Sequence, residues 1–260
     1  MNKICTLSIV SEEYQGIYEV CLESLKQHFP PTVDHIRVNP DDYTSCRSMY
    51  KHTSEASFIC AIRPRVVLEY LQRYDEVIFL GSDVVFYSCP NELFQKHKAI
   101  VVPHIISPIP FGGTFPGMEN IPITGHLNTD IVKWTNDAKV HDFLVWQDET
   151  HREWCVQTNG IFLDQTWLNC LPFFVDGVKI LRHPGYNLAY FNLKERELTK
   201  NKRGNKYLVN GQPLICAQYS GFLKGKPEQL SKYTTYETNN EITLELYRQY
   251  DRDLRRHSTS

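Results

Sequence analysis

Apolar runs of strand length recur through the first half of the chain, and helix-length amphipathic segments separate several of them. The runs are residues 3–10 (KICTLSIV), 76–80 (EVIFL), 84–87 (VVFY) and 99–102 (AIVV), and residues 34–38 read as a short second strand. Near-continuous apolar strands are buried on both faces, which points to a mostly parallel sheet covered by helices. Between the first two strands Ile17, Cys21, Leu22 and Leu25 fall at helical spacing, and Pro30-Pro31 ends the segment. The next helix is expected to carry Pro64 in its first turn and Val67, Leu68 and Leu71 on its buried face. A helix near 91–97, a strand near 127–134, a helix across 139–151 and a short helix beginning at Asp164 follow. Asn210-Gly211, between 206–209 and 214–219, marks a tight hairpin. A final helix over about 240–257 places Ile242, Leu246, Tyr250 and Leu254 on one face and carries four arginines near its end. No internal repeat or linker interrupts residues 1–260. The expectation is one α/β domain with the last helix as an elaboration.

Residues 103–125 differ in kind. They hold five prolines and four glycines without periodicity, and a loop of that length is expected to border a site. A formal net charge of −2 provides no electrostatic footprint for nucleic acid. No apolar run approaches the length of a bilayer span, and Glu12-Glu13 interrupt any signal-peptide pattern, so a cytoplasmic location is expected. The eight cysteines form no C-x-x-C pair and read as reduced, structural thiols. H-E-x-x-H, G-x-S-x-G and G-x-G-x-x-G are all absent. Gly221-Phe222-Leu223-Lys224-Gly225-Lys226-Pro227 is one residue short of a phosphate loop and has Pro227 where a magnesium-binding hydroxyl is required.

Three short segments remain. Gly81-Ser82-Asp83 follows the apolar strand EVIFL, and in open α/β sheets ligands bind beyond the carboxyl ends of strands. Asp164-Gln165 opens a short helix, where an Asp is also an ordinary N-cap. Gln218-Tyr219-Ser220-Gly221-Phe222-Leu223-Lys224 follows a further strand, with a flexible Gly and a Lys suited to a phosphate.

In this order the segments resemble GT-A fold glycosyltransferases that use nucleotide-sugar donors, above all the retaining glycosyltransferase family eight and capsule-type bacterial relatives. Members of that family carry D-x-D after an apolar strand, an Asn-containing strand segment, an Asp-Gln pair and a late H-x-x-G-x-x-K. The matching positions are Gly81-Ser82-Asp83, Asn128-Thr129-Asp130, Asp164-Gln165 and Gln218-x-x-Gly221-x-x-Lys224, within a likeness spanning roughly residues 3 to 233. It implies a Rossmann-like, mostly parallel mixed sheet flanked by helices, and transfer of a hexose from a UDP-sugar to a glycan or lipid-linked acceptor, as in polysaccharide biosynthesis.

The same resemblance implies roles. Gln165 supports the reactive face of the sugar, Asp164 binds its hydroxyls, and Asp83 lies at the centre of the site. Asn128, Thr129 and Asp130 hold sugar or acceptor, although relatives often have a small residue in place of Asp130. Ser8, Val10 and Tyr14 meet the base and ribose. Arg63, Gly81, Ser82, Gly221 and Lys224 meet the phosphates. A divalent cation, manganese or magnesium, is held in the family by both D-x-D carboxylates and the late His. Gly81 and Gln218 depart from that set, leaving Asp83 and Gln218, so metal dependence is expected to be weak or dispensable. The arginine-rich last helix admits a peripheral membrane contact. The alternative readings are a catalytically inactive chain of the same fold that binds glycan or protein, and a sugar nucleotidyltransferase.

Overall fold

The structure is a computed structural model that describes residues 2–112, 116–158 and 160–257. In chain order its elements are β1 (Ile4–Ile9), α1 (Gln15–His28), β2 (Asp34–Val38), α2 (Glu55–Leu71), β3 (Glu76–Leu80), β4 (Val84–Phe86) and β5 (Ala99–Pro103). Then come α3 (Ile121–Thr124), β6 (Leu127–Thr135), α4 (Ala138–Trp154), the short β7 (Gln157–Thr158) and β8 (Ile161–Phe162), α5 (Leu163–Leu168), α6 (Leu171–Phe174) and β9 (Val178–Ile180). The last are β10 (Leu198–Lys200), β11 (Tyr207–Val209), β12 (Gln212–Pro213), β13 (Cys216–Gln218) and α7 (Glu241–Arg256).

The central sheet has the order β2-β1-β3-β6-β5-β9. β6 runs antiparallel to both its neighbours, and the remaining pairings are parallel. This is the mostly parallel sheet expected from the apolar runs, with the mixed character that the resemblance implies. β3 is buried at every position, and apolar clusters cover both faces of the sheet. Because β6 alone is reversed, its first residues lie at the same edge as the carboxyl ends of β1, β3 and β5. Residues 10–14, 81–83, 104 and 128–130 therefore share one edge of the sheet.

The expected second helix is corrected at its start. Ser54 and Ser57 form a capping box that begins α2 at Glu55, so Pro64 lies in the helix interior. There it forgoes one backbone hydrogen bond. Arg63 consequently sits in mid-helix, with its side chain only 13% exposed, and not in a solvated first turn. At the 210–211 hairpin both turn residues have positive φ, 49° for Asn210 and 77° for Gly211, as a primed two-residue turn requires.

Helix α7 is more than an appendage. Leu246, Tyr247, Tyr250 and Leu254 belong to a third apolar cluster, and the Tyr250 ring stacks on Tyr219 at 3.7 Å between centroids. Its arginines face acidic or amide side chains: Arg248 pairs with Glu228 and Glu241, Arg255 with Asp251, Arg256 with Asp253, and Arg252 bonds Gln249. A helix neutralised along its own length offers little to an anionic membrane surface. Among the described residues no helix is long and apolar enough to cross a membrane. All eight cysteines are free thiols, and Cys5, Cys21, Cys46, Cys155 and Cys216 are buried.

Candidate active site

The end of β3 turns sharply, with Val84 N–H donating to the Gly81 carbonyl at 3.2 Å. β4 then leaves the central sheet to pair with β13, bringing Gln218 opposite Val84. Tyr219 N–H donates to the Asp83 carbonyl at 3.0 Å, so the first and last of the three sequence segments are laced together by backbone.

Arg63 joins the middle segment to them. Its Nη1 lies 2.6 Å from Asp164 Oδ2 and its Nη2 donates to Asp130 Oδ1 at 3.1 Å, while the guanidinium covers the Phe79 ring at 4.4 Å. Burial opposes the Arg63 charge, but the Asp164 and Asp130 carboxylates outweigh it and hold the group protonated beyond its ordinary range. Asp164 has a side chain 3% exposed, and its pKa is raised by burial against the pull of Arg63. Asp164 does not cap the helix: α5 begins at Leu163, and the carboxylate turns inward to Arg63. Leu163 adopts φ +50°, a left-handed conformation that an L-residue with a side chain rarely takes, directly before the Asp-Gln pair.

Gln218 Nε2 donates to Asp130 Oδ2 at 2.7 Å and, less closely, to Asp83 Oδ1 at 3.4 Å. Asp83 is half-buried, and its pKa is pushed up to about 7, first by desolvation and then by the neighbouring Asp130 carboxylate. Asn128 is buried and committed within the framework: its Oδ1 accepts from Asp130 N–H at 2.6 Å and its Nδ2 donates to Gln218 Oε1 at 2.8 Å. Thr129 is buried as well. Of the expected sugar-binding trio, only Asp130 reaches the crevice.

Gln165 is oriented by a residue that motif matching passes over. His104, just beyond β5, directs Nδ1 at the Gly125 carbonyl, 2.9 Å away. A carbonyl only accepts, so Nδ1 carries the proton and Nε2 is an acceptor. Burial lowers the pKa of His104 to about 4, which keeps the ring neutral. Gln165 hydrogen-bonds this ring, and its Nε2 also donates to the Thr124 carbonyl at 2.8 Å. The Thr124 contact engages the amide N–H₂ and turns Oε1 away from that carbonyl. The available signal was position: His104 is the first polar residue after an apolar strand, as Ser82 and Asp83 nearly are after β3. The expected role of the 103–125 loop is realised here through His104, Thr124 and Gly125. Its residues 113–115 lie outside the described residues.

The expected nucleotide-binding residues divide. Tyr14 is half-buried, with its hydroxyl subject to Lys232, Tyr233 and Asp83. Ser8 is buried and donates to the Leu80 carbonyl at 2.8 Å, and Val10 is fully buried in the core. Their side chains brace the strand ends and are closed to a ligand. Gly221, at φ +67°, admits residues 231–233: a Cβ there would lie 2.5 Å from the Tyr233 ring, and Lys232 N–H donates to the Gly221 carbonyl at 2.9 Å. Lys224 is exposed beside Asp251 of α7. Lys232, which no motif singled out, is the lysine whose charge acts on the Tyr14 hydroxyl.

The cation implied by the resemblance meets an unsuitable donor set. Asp130 N–H fixes Asn128, Asn128 fixes Gln218, and Gln218 therefore presents N–H₂ to both carboxylates. An amide N–H is not a metal ligand. Among the described residues no three His, Cys, Asp or Glu side chains are grouped to hold an ion.

No protein-family profile matches the sequence, and no curated protein matches it. Solved structures do. Galactosyltransferase LgtC in complex with donor and acceptor sugar analogues superposes with a TM-score of 0.56 at 13% identity, covering 98% of this chain and 97% of that one. An active-site glutamine-to-glutamate mutant of LgtC matches with a TM-score of 0.55 at 12% identity, over 95% and 94% of the two chains. Glycosyltransferase GlyE of Streptococcus pneumoniae TIGR4 matches with a TM-score of 0.50 at 13% identity over 98% of this chain, which spans 63% of GlyE. At these identities the likeness establishes the fold: the chain has the α/β GT-A fold, as one domain.

Proposed function

We propose that the chain transfers a hexose from a UDP-sugar to a glycan or lipid-linked saccharide acceptor, with retention of anomeric configuration. The observation that carries this reading is the meeting of Asp83, Asp130, Asp164, Arg63 and Gln165 at the carboxyl-end crevice of a GT-A fold. The neighbours support a nucleotide-sugar donor and a sugar acceptor in general terms, since one of them was solved with analogues of both.

Breaking the bond between sugar and diphosphate develops positive charge on the sugar and negative charge on the leaving group. Gln165 Oε1, with the amide nitrogen committed to the Thr124 carbonyl, is a lone-pair donor for the sugar's reactive face. As a neutral amide it stabilises charge and does not form a durable glycosyl-enzyme. The carboxylates of Asp164 and Asp83 accept from sugar hydroxyls. Arg63 and Lys232 are the cations available to the diphosphate. With Gln218 presenting N–H₂ to the carboxylates, weak metal dependence belongs to the same proposal.

Thermal shift against a panel of nucleotide sugars, in EDTA and in manganese, tests donor binding, because a ligand of the native state raises apparent stability. A UDP-sugar is expected to shift the melt in both buffers. Proton NMR of the product linkage then decides stereochemistry, and an inverted anomer would sink the retaining mechanism. Gln165→Ala is expected to lower kcat with little change in donor affinity, because its contact strengthens in the transition state.

A further inference from the structure

We propose that Gly81 and Asp130 form one exchanged unit. The carboxylate missing from the loop after β3 is supplied across the sheet by β6, and Asp130 there holds the N–H groups of Arg63 and Gln218 in place for the donor's diphosphate. This rests on the transferase reading only for the identity of the ligand.

Gly81 and Asp130 are cross-strand neighbours, one step beyond the Leu80–Ile131 pair of the β3–β6 ladder, and Gly81 N–H donates to the Asp130 carbonyl at 2.9 Å. A Cβ built on Gly81 would lie 2.8 Å from both Cβ and Cγ of Asp130 and 3.1 Å from its Oδ1. Non-bonded carbons do not approach so closely. The two positions claim one space, and only one of them can carry the side chain that fills it.

The intrusion has a cause in the strand. The β5–β6 register slips between the pairs Val101–Val132 and Val102–Asn128, so residues 129–131 bulge out of the ladder. A bulge of this kind re-aims a side chain, and here the redirected one is Asp130. Both its oxygens meet N–H donors, Oδ1 from Arg63 and Oδ2 from Gln218, and the same Gln218 nitrogen reaches Asp83. Asp130 is thus satisfied from within the protein, while Asp83 shares one of its donors at longer range. In return Asp130 fixes the direction of a guanidinium and an amide that would otherwise be free to rotate.

A reciprocal exchange tests the proposal. Gly81→Asp, Asp130→Gly and the double variant are compared with the parent by thermal unfolding and by calorimetric titration with UDP, all in EDTA. Gly81→Asp brings steric overlap and a further carboxylate. Asp130→Gly removes the acceptor for Arg63 and Gln218. Each single variant is expected to melt about 3–6 °C lower and to bind UDP about tenfold more weakly. The double variant, with its carboxylate returned to position 81 and space opened at 130, is expected to recover most of both losses. A double variant as impaired as the two single losses combined would overturn the exchange. If Gly81→Asp does not fold, Gly81→Ala carries the same steric test, and its defect must again be relieved by Asp130→Gly. If the parent does not bind UDP, the donor reading fails while the thermal cycle still decides whether positions 81 and 130 share one space.

Discussion

Replacing Asp83 by Asn is expected to stabilise the fold at alkaline pH and to leave it unchanged under acid conditions. In the folded chain burial, and then the Asp130 charge, raise the pKa of Asp83 from 3.8 to about 7. The folded state therefore binds this proton more tightly than the unfolded chain does. The stability linked to Asp83 falls as pH rises from about 4 to about 7, and above that range the penalty is fully present. Taken whole, the displacement corresponds to about 4 kcal/mol. Asp83 is only half-buried, so about 1–2 kcal/mol is the magnitude expected in practice. For a chain of this size that is about 2–8 °C in melting temperature. Asn retains an oxygen able to accept from Gln218, so the comparison removes charge while keeping shape.

The assay is thermal unfolding of parent and Asp83→Asn by circular dichroism at pH 8, 7, 6 and 5, without ligand. The variant should melt higher at pH 8, and the gap should narrow through pH 6 to about 40% of its full size at pH 5. Other groups titrate in both proteins and cancel in the difference. A variant that melts lower at pH 8, or a gap that ignores pH, would refute the claim that the Asp83 charge is held at a cost.

Arg63→Met should lower stability by about 3–5 kcal/mol in urea unfolding, because it strands the buried Asp164 carboxylate, and Asp164→Asn added to it should recover part of the loss. A loss below about 1 kcal/mol would show that the pair is solvated. His104→Phe can keep the edge-on ring contact with Phe191, at 5.1 Å between centroids, while deleting both ring hydrogen bonds. By releasing Gly125 and the Gln165 side chain beside the ring, it should lower kcat about tenfold or more and leave the donor KM unchanged, and an unchanged kcat would remove His104 as a positioning residue. In the parent no pH dependence between pH 5 and 9 should trace to this ring, whose pKa is lowered to about 4. Tyr250→Ala should cost about 3–5 kcal/mol in chemical unfolding, since it opens a cavity under Tyr219 beside the Asp83 loop. A near-neutral result would show that α7 is dispensable.

The strands were legible because burial on both faces leaves a local mark. β3 and β5 fall where their apolar runs stand, and α7 fits its four-residue stripe. Pro64 misled because proline at a helix start is common, whereas the capping pair Ser54-Ser57 that begins α2 is two small hydroxyl residues in a polar stretch. Lys224 lies beside α7 for a spatial reason. Motif spacing places it three residues after Gly221, but Gly225 N–H binds Asp251 at 2.6 Å and draws the turn toward α7. Lys232 comes to Tyr14 because Gly221, lacking a side chain, lets residues 231–233 close over it.

Gly81 and Asp130 show the deeper limit. Read along the chain, one is a lost carboxylate and the other an acidic residue where relatives are often small, and nothing local connects positions so far apart. The connection lies in strand register, which is decided by which apolar faces meet and by where the bulge in β6 falls. Once β3 and β6 are paired, the apparent loss and the apparent excess occupy one volume. Gln218 follows the same logic. Its substitution reads as a weakened ligand, yet the Asp130 backbone and Asn128 turn its amide nitrogen toward the carboxylates, so a neutral donor stands between two acids. Departures from a motif at positions 81, 130 and 218 are therefore mutually dependent, and each makes chemical sense only with the other two in place.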